Sequence, residues 1–136
     1  MRSRWVLLLT GAYGVALALI ALWPTPVDRN IAVLRIPGVL RLARHMGLDV
    51  YGAYLLVERL ANLALFVPLG ALILLWRPRW SWLAATAIAL SISTLIELAQ
   101  AIARPERVAT FDDVIFNTIG GAVGALLVVG ARAIRR

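Results

Sequence analysis

The sequence predicts an all-α, polytopic membrane protein: four transmembrane helices in an antiparallel bundle, with a short interfacial helix between the first two. Hydrophobic residues make up 62% of the 136 residues, and the mean hydropathy is +0.86. Soluble domains have about 45–50% apolar residues. Four apolar runs separated by prolines and arginines approach the roughly 20 helical residues that a bilayer core requires. The length suits one domain, residues 1–136.

The composition excludes several functions. The chain has no cysteine, which excludes disulfides, thiolate metal sites and cysteine nucleophiles. His45 is the only histidine, which excludes a multi-histidine metal site within one chain. We expect no cofactor and no metal, although a cation held by Glu97, Asp112 and Asp113 is an open alternative. The net charge of +7 is carried by arginines at the ends of apolar runs, a pattern typical of membrane proteins that contact lipid head groups rather than nucleic acid.

The first helix is predicted over residues 5–23, which carry no charge. Arg2 and Arg4 precede this run, and Trp5 and Trp23 mark its ends, as in an interfacial aromatic belt. A cleaved signal peptide is the alternative, because it also combines a basic start with an apolar run. We favour a retained helix, since the run is longer than the apolar part of most signal peptides and lacks a clear small-residue cleavage site.

A polar connection, residues 24–55, follows the prolines that stop this helix. Within it, residues 37–47 predict a short helix, because proline begins the segment and glycine ends it. Its two sides differ: one is apolar and the other basic. It either lies in the membrane interface with its arginines on phosphates or is a plain connection folded onto the other helices. The apolar side carries Val39, Leu40, Ala43 and Met46, and the basic side carries Arg41, Arg44 and His45.

The remaining helices are predicted over residues 55–76, 81–103 and 113–132. Pro68 lies inside the second, where a membrane helix tolerates proline with a kink. With four helices, both termini lie on one side. Seven arginines fall on each side, but those on the terminal side flank helix ends closely, which favours cytoplasmic termini.

Polar residues are concentrated at one end of three predicted helices. Neighbouring helices run in opposite directions, so the start of the second, the end of the third and the start of the fourth share one level. Within each helix the polar residues are spaced to lie on one face. We therefore predict a binding pocket there, lined by Glu58, Asn62, Glu97, Gln100, Arg104, Arg107, Asp112, Asp113 and Asn117.

Glu97 is the most informative member of this set because it lies well inside the third helix. A carboxylate near mid-membrane costs about 2.5–3.5 kcal/mol, so it usually faces the protein interior. We expect it to pair with Arg104 or Arg59, to hydrogen-bond to an asparagine, or to be protonated. Simpler interpretations are that the polar residues join helices by hydrogen bonds, and that Asp112 and Asp113 cap a helix.

Glycines on the fourth helix predict close packing. Gly120 and Gly124 have the GxxxG spacing that lets another backbone approach closely, and Gly121 lies beside them. We favour packing within the bundle, with a homo-oligomer through Gly120 and Gly124 as the alternative. Small residues of the third helix suit the same role: Ser91, Ser93 and Thr94.

These motifs together resemble the VanZ-like family of small bacterial membrane proteins. The resemblance covers nearly the whole chain and is weak over residues 29–50. Three unspecific motifs on consecutive helices are more specific in combination. In chain order they are Glu58-x-x-x-Asn62-x-x-Leu65-Phe66-x-Pro68-Leu69-Gly70, Ser93-x-x-Ile96-Glu97-x-x-Gln100, and, after Arg104 or Arg107, Asp113-Val-Ile-x-Asn117-Thr118-x-Gly120-Gly121.

The resemblance implies a multi-pass protein of the bacterial cytoplasmic membrane. The founding member of the family is associated with resistance to the glycopeptide teicoplanin, so a link to glycopeptide resistance is one implication. From the polar residues we expect binding of an envelope lipid, a lipid-linked cell-wall intermediate or a glycopeptide, with Arg104, Arg107, Arg41 and Arg44 on phosphate. The alternatives are a membrane enzyme with Glu97 or Asp113 as general base, and a small proton- or ion-translocating protein.

Overall fold

The computed structural model describes residues 2–21, 37–103 and 111–135, and all regular secondary structure in these ranges is helical. Three of the helices are long and apolar enough to cross a membrane (α3, α4 and α5), and α1 contains a shorter apolar segment. The all-helical membrane class is confirmed, whereas a fourth crossing by α1 stays a prediction. The helices are α1 (Arg2–Ala21), α2 (Pro37–His45), α3 (Val50–Trp76), α4 (Trp82–Ala103) and α5 (Phe111–Ile134).

Helix α3 begins five residues before the start predicted at residue 55. The carboxylate of Asp49 accepts a hydrogen bond from the backbone N–H of Gly52 at 2.7 Å, which caps the helix. The sequence analysis missed this cap because it assigned the whole stretch to a connection. Helix α3 then includes Pro68 as a single element. The predicted end of the first helix at Trp23 lies outside the described residues.

The short helix expected between the first two long ones is present as α2. It ends in a Schellman motif: Leu48 N–H donates to the carbonyl of Ala43 at 2.9 Å, and Gly47 N–H donates to the carbonyl of Arg44 at 3.0 Å. Gly47 has φ of +72°, the left-handed conformation that this motif requires and that glycine adopts without strain. The glycine at the end of this segment therefore has the role that the sequence predicts.

Helices α3 and α5 touch through their backbones. A Cβ atom built on Gly124 would lie 1.9 Å from the carbonyl oxygen of Val67, and one on Gly120 would lie 2.1 Å from that of Leu63. Such distances leave no room for a side chain, so these glycines permit the contact. The favoured interpretation of Gly120 and Gly124 is confirmed, whereas a homo-oligomer stays a prediction.

The contacts also give the direction of the helices. Leu63 and Val67 meet Gly120 and Gly124 in the same order, so α3 and α5 run in the same direction. Along α4 the order is reversed: Ser93 meets Asn117, and Ala89 meets Gly121. Helix α4 therefore runs antiparallel to α5, and the start of α3, the end of α4 and the start of α5 share one end.

An apolar core fills the other part of the bundle. Helix α1 joins it through Leu17, and the Tyr13 hydroxyl donates to the carbonyl of Leu65 on α3. At the far end, the Arg132 guanidinium donates to the carbonyls of Leu74 at 2.6 Å and Pro78 at 3.1 Å, which satisfies acceptors at the end of α3. The buried apolar residues of this core are Leu17, Phe66, Leu69, Ile73, Leu74, Ala85, Ala89 and Ala125.

We predict that Gly124→Ala destabilises the protein by about 1–3 kcal/mol, the usual cost of overpacking, because the new methyl group would overlap the backbone of α3. The matched control is Gly130→Ala in the same helix, where an added Cβ meets nothing within 4 Å. Thermal unfolding in detergent measures both variants. Equal unfolding temperatures would contradict the close contact between α3 and α5.

Candidate functional site

The outermost polar residues of α3, α4 and α5 lie at one end of the apolar bundle. At about 1.5 Å per residue, Arg59 is about 25 Å along α3 from Trp76, and Asp112 is about 30 Å along α5 from Arg132. A bilayer core is about 30 Å thick. Trp76 and Trp82 mark one boundary, so Arg59 and Asp112 lie close to the other. Gln100 lies at a similar level of α4, about 27 Å from Trp82.

The outermost contact of this cluster joins α3 to α5. Arg59 forms an ion pair with Asp112, and their side chains are 36% and 49% exposed. The guanidinium also lies over the ring of Phe116, 5.8 Å from its centroid, within the range of a cation–π contact. Arg59 was one of several possible partners expected for Glu97, and its pairing with Asp112 was not predicted. Nothing in the sequence spacing marked Phe116 as part of the site.

A second contact between the same helices lies one turn deeper. The Asn62 amide Nδ2 donates to Oδ1 of Asp113 at 2.7 Å. Asp113 is buried, so this hydrogen bond compensates part of the cost of taking its carboxylate out of water. Asp112 and Asp113 both lie in the first turn of α5, where they complement the helix dipole. Each of them also has a side-chain partner on α3, which capping alone does not predict.

The deepest contact joins α5 to α4. Asn117 Nδ2 donates to the Ser93 hydroxyl oxygen at 2.8 Å, and the two residues are 6% and 0% exposed. Within the part of the chain that the structure describes, the other amide atom of Asn117, Oδ1, accepts no hydrogen bond. The sequence analysis assigned Ser93 to close packing and missed it as a partner of Asn117. To predict this contact, the register between α4 and α5 must be known, and residue spacing within one helix does not give it.

The other residues predicted to line the pocket differ in burial, and two of them are not described. Gln100 is buried on α4, and Glu97 and Glu58 are partly buried on α4 and α3. Arg104 and Arg107 lie outside the described residues. Among the residues that are described, no three His, Asp or Glu side chains form a group suited to a metal ion. The arrangement offers hydrogen-bond donors and acceptors from three helices at one end of an apolar bundle.

Comparison with known proteins identifies one family. A family model described as VanZ/LLP1 matches residues 10–133, which is most of the chain. The match includes every described residue of the candidate site, from Glu58 on α3 to Asn117 on α5. No curated protein and no solved structure gives a significant match.

We predict different coupling energies for the two contacts between α3 and α5. A double-mutant cycle with Asn62→Ala and Asp113→Ala should give about 0.6–1.7 kcal/mol, the range of hydrogen bonds within membrane proteins. The control cycle, Arg59→Ala with Asp112→Ala, should give about 0.2–1 kcal/mol and weaken in salt, because the pair is partly exposed. Unfolding free energies in detergent measure both. A coupling energy of zero between Asn62 and Asp113 would contradict their contact.

Proposed function

The chain belongs to the VanZ/LLP1 family, and we propose that its polar cluster forms an outward-facing pocket that binds an envelope amphiphile. A lipid head group or a lipid-linked cell-wall intermediate has the required chemistry, since each joins a polar group to an apolar chain. The observation that carries the proposal is the series of polar side-chain contacts that joins α3 to α5 near one end of the bundle and α5 to α4 deeper inside it. The proposal also places both termini in the cytoplasm and the pocket at the outer leaflet.

The residues divide into two groups by chemistry. Glu97, Gln100 and Asn117 orient the polar part of the ligand by hydrogen bonds, and Gln100 and Asn117 are supported in this role by their burial at the cluster. Arg104 and Arg107 hold phosphate, because guanidinium groups bind phosphate through two parallel hydrogen bonds. The two arginines enter the proposal from their position in the sequence directly after α4.

The contacts of the acids favour binding over catalysis. Asp112 is paired with Arg59, and Asp113 accepts a hydrogen bond from Asn62. A carboxylate oxygen that is already engaged by such a partner is less available to accept a proton from a substrate. The alternative is a membrane enzyme that acts on a lipid-linked substrate with Glu97 or Asp113 as general base. Turnover of such a substrate by the purified protein would favour the enzyme.

The apolar core counts against ion translocation. Proton or ion movement requires a polar path to both faces of the membrane. On the side of Ser93 and Asn117 away from the cluster, the described core consists of apolar side chains such as Leu69, Ile73 and Leu74. A pocket that opens to one face needs no such path.

We predict that Glu97→Gln and Gln100→Leu each weaken ligand binding about tenfold or more, because a lost hydrogen bond to a charged group costs about 1.5–3 kcal/mol. Arg104→Ala should have a similar effect on ligands that carry phosphate. The probes are phosphatidylglycerol, phosphatidylethanolamine, a polyprenyl phosphate, a polyprenyl-linked cell-wall precursor and teicoplanin. Binding to the purified protein in nanodiscs is measured by native mass spectrometry.

The control for these variants is Thr94→Val on the same helix. Thr94 is exposed, and its hydroxyl donates to the carbonyl of Leu90 within α4, so its loss should leave binding unchanged. Unfolding temperatures are measured for every variant, which separates lost binding from lost folding. The proposal is wrong if Glu97→Gln, Gln100→Leu and Arg104→Ala fold normally and bind all five probes like the unmodified protein. In cells, unchanged teicoplanin sensitivity on deletion would remove the link to glycopeptide resistance.

A further inference from the structure

Helix α2 has three distinct faces. One packs on the start of α3: Ala43 is buried against Ala53, and Val39 adjoins them. Each residue turns a helix by about 100°, which places Leu42 and Met46 beside this buried face. They are 60% and 56% exposed. The opposite face carries the exposed residues Arg41, Arg44 and His45.

The length of α3 places α2 at the membrane surface. Its 27 residues span about 40 Å, which exceeds a 30 Å bilayer core by about 10 Å. Because Trp76 at its end lies at one boundary, the first two turns of α3 project beyond the other. Helix α2 packs on these turns, where Tyr54 and Val57 contact its buried face. It therefore lies at the level of the lipid head groups.

The exposed apolar surface of α2 continues onto α3. Val50 and Tyr51, at the start of α3, are 63% and 67% exposed. Like Leu42 and Met46, they are exposed apolar residues at the level of the lipid head groups. The Schellman motif at Gly47 holds α2 to the start of α3, so the two parts of the surface are joined by a fixed turn.

We propose that α2 lies in the membrane interface and binds anionic phospholipid. Leu42 and Met46 lie among the upper acyl carbons, and Arg41 and Arg44 lie on the phosphates of the head groups. The charges support this partner: Arg41 and Arg44 are three residues apart on one face, and α2 itself contains no acidic residue. The proposal concerns a surface outside the polar cluster and does not depend on the ligand of that cluster.

The absence of cysteine makes a direct test of depth practical, because a single introduced cysteine is the only site of labelling. The full chain with Met46→Cys carries a nitroxide label in vesicles of phosphatidylcholine and phosphatidylglycerol. We expect the label to be more accessible to oxygen than to a water-soluble nickel complex. A label at His45→Cys, on the polar face, should show the reverse. A label at Met46→Cys that is freely accessible to the nickel complex would overturn the proposal.

The same position tests lipid selectivity. A fluorophore at Met46→Cys is quenched with brominated phosphatidylglycerol or brominated phosphatidylcholine. We expect at least about threefold stronger quenching by the anionic lipid, since each arginine near the surface adds to its attraction. Replacing both Arg41 and Arg44 with glutamine should remove the preference. The matched control replaces the exposed Arg79 and Arg135, at the other end of the bundle, and should retain it.

Two results would overturn the proposal that anionic lipid covers this surface. Equal quenching by the two lipids when all arginines are present would show that the surface does not select anionic lipid. Strong dipolar coupling between nitroxide labels on separate chains would show that a second copy covers Leu42 and Met46. Unfolding temperatures of the glutamine variants verify that both remain folded.

Discussion

The close contact between the backbones of α3 and α5 is the constraint on which the rest of the structure depends. Most packed helices lie about 8–10 Å apart because side chains separate them. Gly120 and Gly124 remove this separation, and the carbonyl oxygens of Leu63 and Val67 occupy the space where their Cβ atoms would be. Fixed in this way, the two helices align in one register. Short polar side chains then reach across from α3 to α5, as Asn62 does to Asp113.

This register gives the bundle two different ends. At one end, Arg132 of α5 donates to carbonyls at the end of α3, and apolar side chains fill the space between the helices. At the other end, contacts involving Arg59, Asn62 and Ser93 replace apolar packing. Because α4 runs antiparallel to α5, the middle of α4 at Ser93 meets the second turn of α5 at Asn117, and the end of α4 lies at the same end of the bundle as the start of α5. The bundle therefore has a polar end for two reasons: α4 runs opposite to α3 and α5, and its polar residues lie near its end whereas theirs lie near the start.

Sequence reasoning identified the faces of the helices but not the partners of most side chains. Periodicity placed Asp113 and Asn117 on one face of a helix, and the glycine spacing predicted close packing. Partners depend on the register between helices, which no spacing within one helix contains. The pairing of Arg59 with Asp112 was therefore not predicted, and Ser93 was interpreted as packing. The cap at Asp49 was missed for a different reason: one aspartate in a polar connection is a weak local signal beside apolar periodicity.

The energetics of the polar cluster indicate that stability alone does not explain it. A hydrogen bond between membrane helices contributes about 0.6 kcal/mol on average, whereas a buried acceptor without a partner costs about 1–3 kcal/mol. Asn117 makes one such hydrogen bond and carries one such acceptor. Its Nδ2 donates to Ser93, while its Oδ1 has no partner within the described residues. Apolar residues of the same shape in place of both Asn117 and Ser93 would avoid that cost, because replacing both partners of a buried hydrogen bond can be neutral or stabilising. The proposed binding of a polar group would supply the buried Oδ1 of Asn117 with a partner that the described residues do not provide.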